Sequence, residues 1–174
     1  MRPAYHARRW SVLLILACAS CTAQAPSSQD SHLRASPPAS APVPSPVAVP
    51  LDAPLLASLA RVPVQATVHD RVLNCEGFAL AALLQASGAM PAEPLRGPHL
   101  ARYVMATARD GYRALFSLAE LDTSLGHTRA YVVDRCDGQA LDEDNGPLRL
   151  LVMGVDRGAR SVRQLDAITV IAAP

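Results

Sequence analysis

From residue 24 to residue 63 the chain is dominated by Pro, Ala and Ser, with nine prolines between Pro26 and Pro63. Proline fixes φ and removes a backbone donor, so a tract this dense in it neither propagates a helix nor joins the interior of a sheet. The tract has no aromatic residue and no apolar period, and it cannot bury enough surface to offset its ordering entropy. The expectation is a disordered, extended tether over 24–63. What is left to fold is 64–174, a length suited to one domain and too short for two.

The residues before the tether read as an export signal over 1–23. Arg2, Arg8 and Arg9 precede an apolar run from Trp10 to Ala19 that is too short to span a bilayer. Ile15-Leu16-Ala17-Cys18 resembles a bacterial lipobox, Cys21 is a second candidate for lipidation, and cleavage near Ala23 is a third route. Arg8-Arg9 also resembles a twin-arginine signal. The layout expected from these features is an exported protein, periplasmic or held at a membrane by an N-terminal lipid.

Charge excludes one class of partner. Sixteen basic residues, all arginine, stand against fifteen acidic ones, and aromatic residues make up 4% of the chain. A nucleic-acid partner is not expected, because a basic footprint and a row of stacking rings are both missing.

Within 64–174, residues 64–69 alternate apolar and polar and predict a strand. Cys75-Glu76-Gly77 leads into an Ala/Leu-rich stretch that predicts a helix over 78–87, with Gly88 placed to end it at C′. Residues 103–108 and 112–116 predict a hairpin turning at Arg109-Asp110-Gly111. Ser117-Leu118-Ala119-Glu120 fits a capping box opening a short helix. Residues 130–134 predict a strand, Asp137-Gly138 a turn, and 148–153 and 168–171 two further strands separated by a turn-rich crossing over 154–158. Strands in pairs with two short helices between them argue a mixed α+β domain, mostly β, rather than alternating βαβ units.

The chemistry is thin. Arg149 interrupts an apolar strand, and Arg157, Arg160 and Arg163 follow across a glycine-bounded loop. Several guanidinium forks and backbone N–H groups around one anion is the functional reading of that pattern; four solvated surface arginines is the bland one. Asp110 and Asp166 are the carboxylates expected to pair with Arg149 if no anion does. The acidic run Asp142-Glu143-Asp144-Asn145 lacks the spacing of a calcium loop. His69, His99 and His127 stand singly, so no metal site is expected, and no serine lies in a Gly-x-Ser-x-Gly elbow. Cys75 and Cys136 are either a disulfide or two separate thiols; in an oxidising compartment the bridge would close a loop of about 60 residues.

Four segments together resemble the molybdopterin-binding domain of sulfite-oxidase-like oxidoreductases. They are Asn145-Gly146-Pro147-Leu148-Arg149; Gly158-Ala159-Arg160-Ser161-Val162-Arg163-Gln164-Leu165; the Gly77 to Leu84 run; and Asp110-Gly111-Tyr112 followed by Ser117-Leu118-Ala119-Glu120-Leu121. The Asp110 to Leu121 segment stands in the family's order relative to the C-terminal stretch, and the resemblance covers about 64–171, the second part of the family domain. The chain differs in having Asn145 near the family's histidine, one residue fewer between glycine and proline, and Arg163 and Gln164 for lysine and tryptophan. The resemblance implies a reduced version of the sulfite-oxidase-type fold, and it directs Arg149, Arg160, Ser161, Arg163, Asp110 and Tyr112 at an anionic, pterin-like ligand. Of those six candidates, Arg149 and Arg163 are the two that the resemblance itself places where the family directs basic side chains and backbone amides at its pterin. It also implies molybdopterin as the cofactor class to test. The family's metal-ligating cysteine lies well upstream of the Gly77 segment, where this chain has its tether and no cysteine between Cys21 and Cys75. No cofactor is therefore expected. Three functional readings follow: an exported domain that binds an anionic small molecule or a protein partner, an active molybdopterin-dependent oxidoreductase using an atypical ligand such as Cys75, and a surface-tethered structural or interaction domain.

Overall fold

The structure, a computed structural model, describes residues 43–68, 71–154 and 158–174. The expected export signal over 1–23, the lipidation candidates Cys18 and Cys21, the first part of the tether and Arg157 lie outside the described residues.

Nine strands make two antiparallel sheets among these residues. They are β1 (Val47–Val49), β2 (Val62–Val68), β3 (Arg71–Ala79), β4 (Arg102–Ala108), β5 (Arg113–Ser117), β6 (Ala130–Cys136), β7 (Gln139–Ala140), β8 (Arg149–Val152) and β9 (Leu165–Ala172). Sheet A has the order β1-β9-β4-β5; sheet B has the order β2-β3-β6-β7, with β8 also paired to β6. The helices are short: α1 (Ala53–Ala57), α2 (Leu80–Ala86) and α3 (Leu118–Leu121). The domain is α+β and mostly β, as the pairing of strands in the sequence predicts.

The tether is shorter than its composition suggests. Residues 43–63 are folded: β1 joins sheet A beside β9, α1 follows, and β2 begins at Val62. Proline is tolerated here because each one falls where its missing N–H is not needed. Pro46 and Pro50 flank a three-residue edge strand, and Pro54 lies in the first turn of α1, where Asp52 caps the helix by accepting from the Leu55 N–H at 3.0 Å. Between the prolines, Val49 is buried and Val47, Leu51, Leu55, Leu56 and Leu59 pack against the main core. The folded domain thus includes β1 and α1, ahead of the expected start at Val64.

A second correction concerns the helix expected over 78–87. Cys75 to Ala79 belong to β3, where Phe78 pairs with Val132 of β6, and α2 starts only at Leu80. Helix propensity in the Ala/Leu run lost to long-range pairing. Gly77 permits it, since a Cβ there would collide with the Val132 backbone at the bulge between Glu76 and Gly77. The far end of α2 is as expected: Ser87 is the C-cap, Gly88 follows at φ 73°, and the Met90 N–H bonds back to the Leu84 carbonyl at 3.0 Å.

The main core lies where the inner face of sheet A (Val104, Phe116, Ile168, Val170) meets sheet B (Val132, Leu150), with Leu80, Leu83 and Leu84 of α2 and Leu118 of α3 packed into it. Each such leucine contributes about 1.5–3 kcal/mol by leaving water. The other face of sheet B holds a second, small core of Val64, Ala66, Cys75, Val133 and Leu151. Cys75 and Cys136 are direct cross-strand partners on β3 and β6, and they form a disulfide beside this small core.

Candidate functional site

β8 is buried along its whole length, so its first residue, Arg149, is carried into an apolar setting with a relative exposure of 8%. Nη1 donates to Asn145 Oδ1 at 2.9 Å. Nε is buried and has no hydrogen-bond partner. Asn145 is itself held by Asp142, whose Oδ1 accepts from the Asn145 Nδ2 at 2.7 Å and from its backbone N–H at 3.0 Å. Of the two partners expected for Arg149, a carboxylate or an anion, neither Asp110 nor Asp166 is bonded to it: the guanidinium meets the 142–146 loop, and its partner there is a neutral amide.

Burial pulls the Arg149 guanidinium below its ordinary value, Arg163 pulls in the same direction, and Asp142 opposes them. Arginine starts so high that the group stays charged at any physiological pH. Arg163 thus adds like charge beside Arg149, and the Asp142 carboxylate that offsets it has its Oδ1 engaged by Asn145. Arg163 itself is exposed. The corner is tied together by backbone: the Gln164 N–H donates to the Asn145 carbonyl at 3.0 Å, and the Gln164 carbonyl accepts from the Arg109 N–H at 3.0 Å. Gln164 adopts φ 46°, which keeps Arg163 and Leu165 on opposite sides of the kink: Arg163 is exposed and Leu165 is buried.

The other candidates go to structure. Arg160 forms a two-pronged pair with Glu120, Nη2 to Oε1 at 2.8 Å and Nη1 to Oε2 at 3.2 Å. Its Nη2 also donates to the Leu115 carbonyl at 3.0 Å, and the guanidinium lies over the Phe116 ring, 4.4 Å from the centroid. Glu120 is meanwhile the closing residue of the expected capping box, bonding the Ser117 N–H at 2.8 Å while Ser117 Oγ accepts from the Glu120 N–H. Thr128 Oγ1 adds a further donor at 3.0 Å. Burial pushes the Glu120 carboxyl up, but the hydrogen bonds from Arg160 and Thr128 outweigh it and leave it below the usual range. Ser161 Oγ accepts from the Val152 N–H at 3.1 Å. Asp110 Oδ1 accepts from the Tyr112 N–H at 2.9 Å, an Asx turn at the hairpin tip, and the Tyr112 hydroxyl donates to the Ala159 carbonyl. The structure therefore sets Arg163 near enough to act on the charge of Arg149, leaves Asp110 and Tyr112 at the hairpin tip, and engages Arg160 and Ser161 in structural hydrogen bonds.

Two buried charges escaped the sequence. Arg102, 4% exposed, reaches across to the Pro44 carbonyl at 2.7 Å, and Asp122 accepts from the Ser124 hydroxyl and N–H and from the Leu95 N–H. The Ser124 hydroxyl leads the bonds that hold the Asp122 carboxyl below its ordinary value. Only the Asp-x-Ser spacing of Asp122 and Ser124 was available as a local signal.

Cys75, the one cysteine proposed from sequence as an atypical metal ligand, is bonded to Cys136. Joined in that bond, Cys75 and Cys136 offer no thiolate of the kind the sequence resemblance implies, and the described residues contain no other cysteine. The donor set does not fit the metal; the half-satisfied Arg149 fits an anionic group. Compared with known proteins, the chain matches no family model and no curated protein sequence.

Proposed function

We propose that this is an exported anion-binding domain, a reduced form of the sulfite-oxidase-type molybdopterin-binding fold, in which Arg149 and Arg163 hold a phosphate-bearing or pterin-like ligand or the acidic group of a protein partner. One observation carries the reading: a buried, charged guanidinium whose Nε has no acceptor and whose only hydrogen-bonded partner is a neutral amide. An unpaired buried charge costs several kcal/mol. An anion reaching Nε would remove that cost and relieve the repulsion between Arg149 and Arg163 at once. Asn145, fixed by Asp142, then acts as the positioning residue that orients the guanidinium.

The reading assigns no redox step. Molybdopterin is the cofactor class named by the sequence resemblance; the residues at the Arg149 corner suit the phosphate of such a group, and Cys75 does not supply a thiolate to its metal.

Thermal unfolding of the mature chain with inorganic pyrophosphate or a phosphorylated pterin tests the proposal. At a hundredfold excess over Kd, binding adds about 2.7 kcal/mol, a rise in Tm on the order of 10 °C for a domain of this size. Arg149→Met should abolish the rise while leaving the ligand-free protein folded, and Arg163→Ala should reduce it. No rise in the parent with any of these anions would sink the proposal. Stoichiometric molybdenum in the purified protein would favour the oxidoreductase reading instead.

A further inference from the structure

We infer that the outer face of sheet A is a membrane-docking surface, used when the chain is held to a bilayer through its N-terminal region; the inference rests on the anchoring part of the proposed function. The inner face of sheet A is core, but its outer face has nothing packed over it among the described residues. The ladder sets Met105 opposite both Leu115 and Thr169, and Tyr103 opposite Ile171. Leu115 is 56% exposed, and Tyr103, Met105 and Ile171 are half-buried. Arg113 is the one charged side chain in these ladder rows of the outer face, and it sits one row beyond Leu115, where it suits an anionic headgroup. Tyr103, Met105, Leu115 and Ile171 thus form one apolar strip across three strands, in rows that also hold Ser117, Thr107 and Thr169.

The chain's own path says what covers it. Arg102 Nη2 holds the Pro44 carbonyl at 2.7 Å and Ser45 Oγ accepts from the Ala172 N–H at 2.8 Å, so the upstream chain departs from the edge of this same sheet. Between Cys21 and Val43 lie 22 steps of Pro-rich chain, about 70 Å at full polyproline extension, which keeps an anchored domain at high effective concentration over the bilayer. Weak docking then suffices. A second copy is the poorer occupant. Four strands by about five residues present only about 300 Å², against about 800 Å² per partner in a stable dimer. Edge-to-edge pairing through β5 is obstructed too, because Arg160 already occupies the Leu115 carbonyl.

The test couples the full chain carrying Cys18→Ser through Cys21 to maleimide-bearing vesicles of phosphatidylethanolamine and phosphatidylglycerol (3:1) with brominated acyl chains. Trp10→Phe removes the native tryptophan, and Leu115→Trp or Val72→Trp supplies a reporter; both positions are more than half exposed, and Val72 lies on sheet B. Bromine should quench the Leu115→Trp emission at least twofold and leave the Val72→Trp emission unchanged, and adding Met105→Glu should remove the quenching. Equal quenching of both reporters, or none, overturns the inference. So does a blue shift of the Leu115→Trp reporter that grows with protein density without quenching, which would mark a second copy as the occupant. Because coupling is chemical, native acylation is judged separately by intact mass, and its absence would overturn the anchoring reading without altering this outcome.

Discussion

Two arginines that stand eleven residues apart in the sequence meet opposite fates. Arg160 gives both Nη nitrogens to acceptors and stacks on Phe116, while its partner Glu120 is also engaged by Ser117 and Thr128. Arg149 is more deeply buried, yet has a single neutral acceptor and an orphaned Nε. Evenly satisfied charge is a sign of structure; a buried charge left short of acceptors is a standing cost, and Arg102, whose Nε is likewise buried without a partner beside its bond to the Pro44 carbonyl, carries one too. Depth of burial alone would have ranked the two the same way for the wrong reason.

The contrast can be broken or sharpened in several ways. The largest effect is expected from a chain begun at Val64, which removes β1 from β9 and takes away Arg61, whose fork on Asp134 spans 2.6 and 2.8 Å. Since β9 follows both arginines, both corners should fail together; loss of Val49 and the α1 leucines approaches the whole stability of a small domain, about 5 kcal/mol or more, and no cooperative transition should appear by circular dichroism, whereas a chain begun at Val43 should retain one. Reducing the Cys75–Cys136 bond, which closes a separation of 61 residues, should cost about 4 kcal/mol in the chain-entropy account. Hydrogen exchange should then rise first in β2 and β3, around the small core, with β4 and β9 still protected. Uniform loss of protection would show that the small core does not open on its own.

Smaller effects separate the corners directly. Glu120→Ala should destabilise by about 2–3 kcal/mol in urea unfolding, combining a lost capping box with lost charge-assisted hydrogen bonds. Arg149→Met, measured without ligand, should lie within about 1 kcal/mol of the parent or be more stable, because it removes an uncompensated buried charge. A large loss there would mean the fold depends on Arg149 and would weaken the case for a bound anion. The smallest effect is one of pH. Glu120, Asp122 and Asp134 all have carboxyls held below their ordinary values, Asp134 chiefly by the Arg61 hydrogen bond. Their contributions are complete above about pH 5 and are lost as the pH falls through the lowered values. Acid should therefore loosen the Arg160 corner, and Glu120→Gln should flatten the decline below pH 4.5.

What the sequence disclosed was local. The capping box at Ser117 and Glu120, the C′ glycine at Gly88 and the Asp137-Gly138 turn, with φ 50° and 77°, all need only residues within a few positions of each other. Phe78 was misassigned because its helix-favouring neighbours are local and its β6 partner lies 54 residues on, at Val132. β1 and α1 were concealed by proline content, which signals a tether only when apolar residues are absent between the prolines; Val47, Val49, Leu55 and Leu56 were there to be counted. At the site, Arg149 was legible as an arginine within an apolar run. Its partner Asn145 was visible only as part of a motif, and the loss of Arg160 to Glu120 depended on a contact 40 residues long.

Asn145 is followed by Gly146, the pairing in which an unhindered backbone nitrogen can most readily attack the asparagine side-chain carbon, expel ammonia and, after hydrolysis, leave a carboxylate; asparagine is among the thermolabile residues for this reason. Here the side-chain carbonyl is gripped by Arg149, the amide by Asp142, and the Gly146 N–H by the Asp142 carbonyl at 2.8 Å. The nitrogen that would attack is thus already engaged, and the group it would attack is held at both ends. The loop that orients Arg149 therefore also sets the chain's chemical lifetime: the folded protein should age slowly at this bond, the unfolded protein quickly, and a gain of one mass unit at Asn145 would record how long a molecule had spent unfolded.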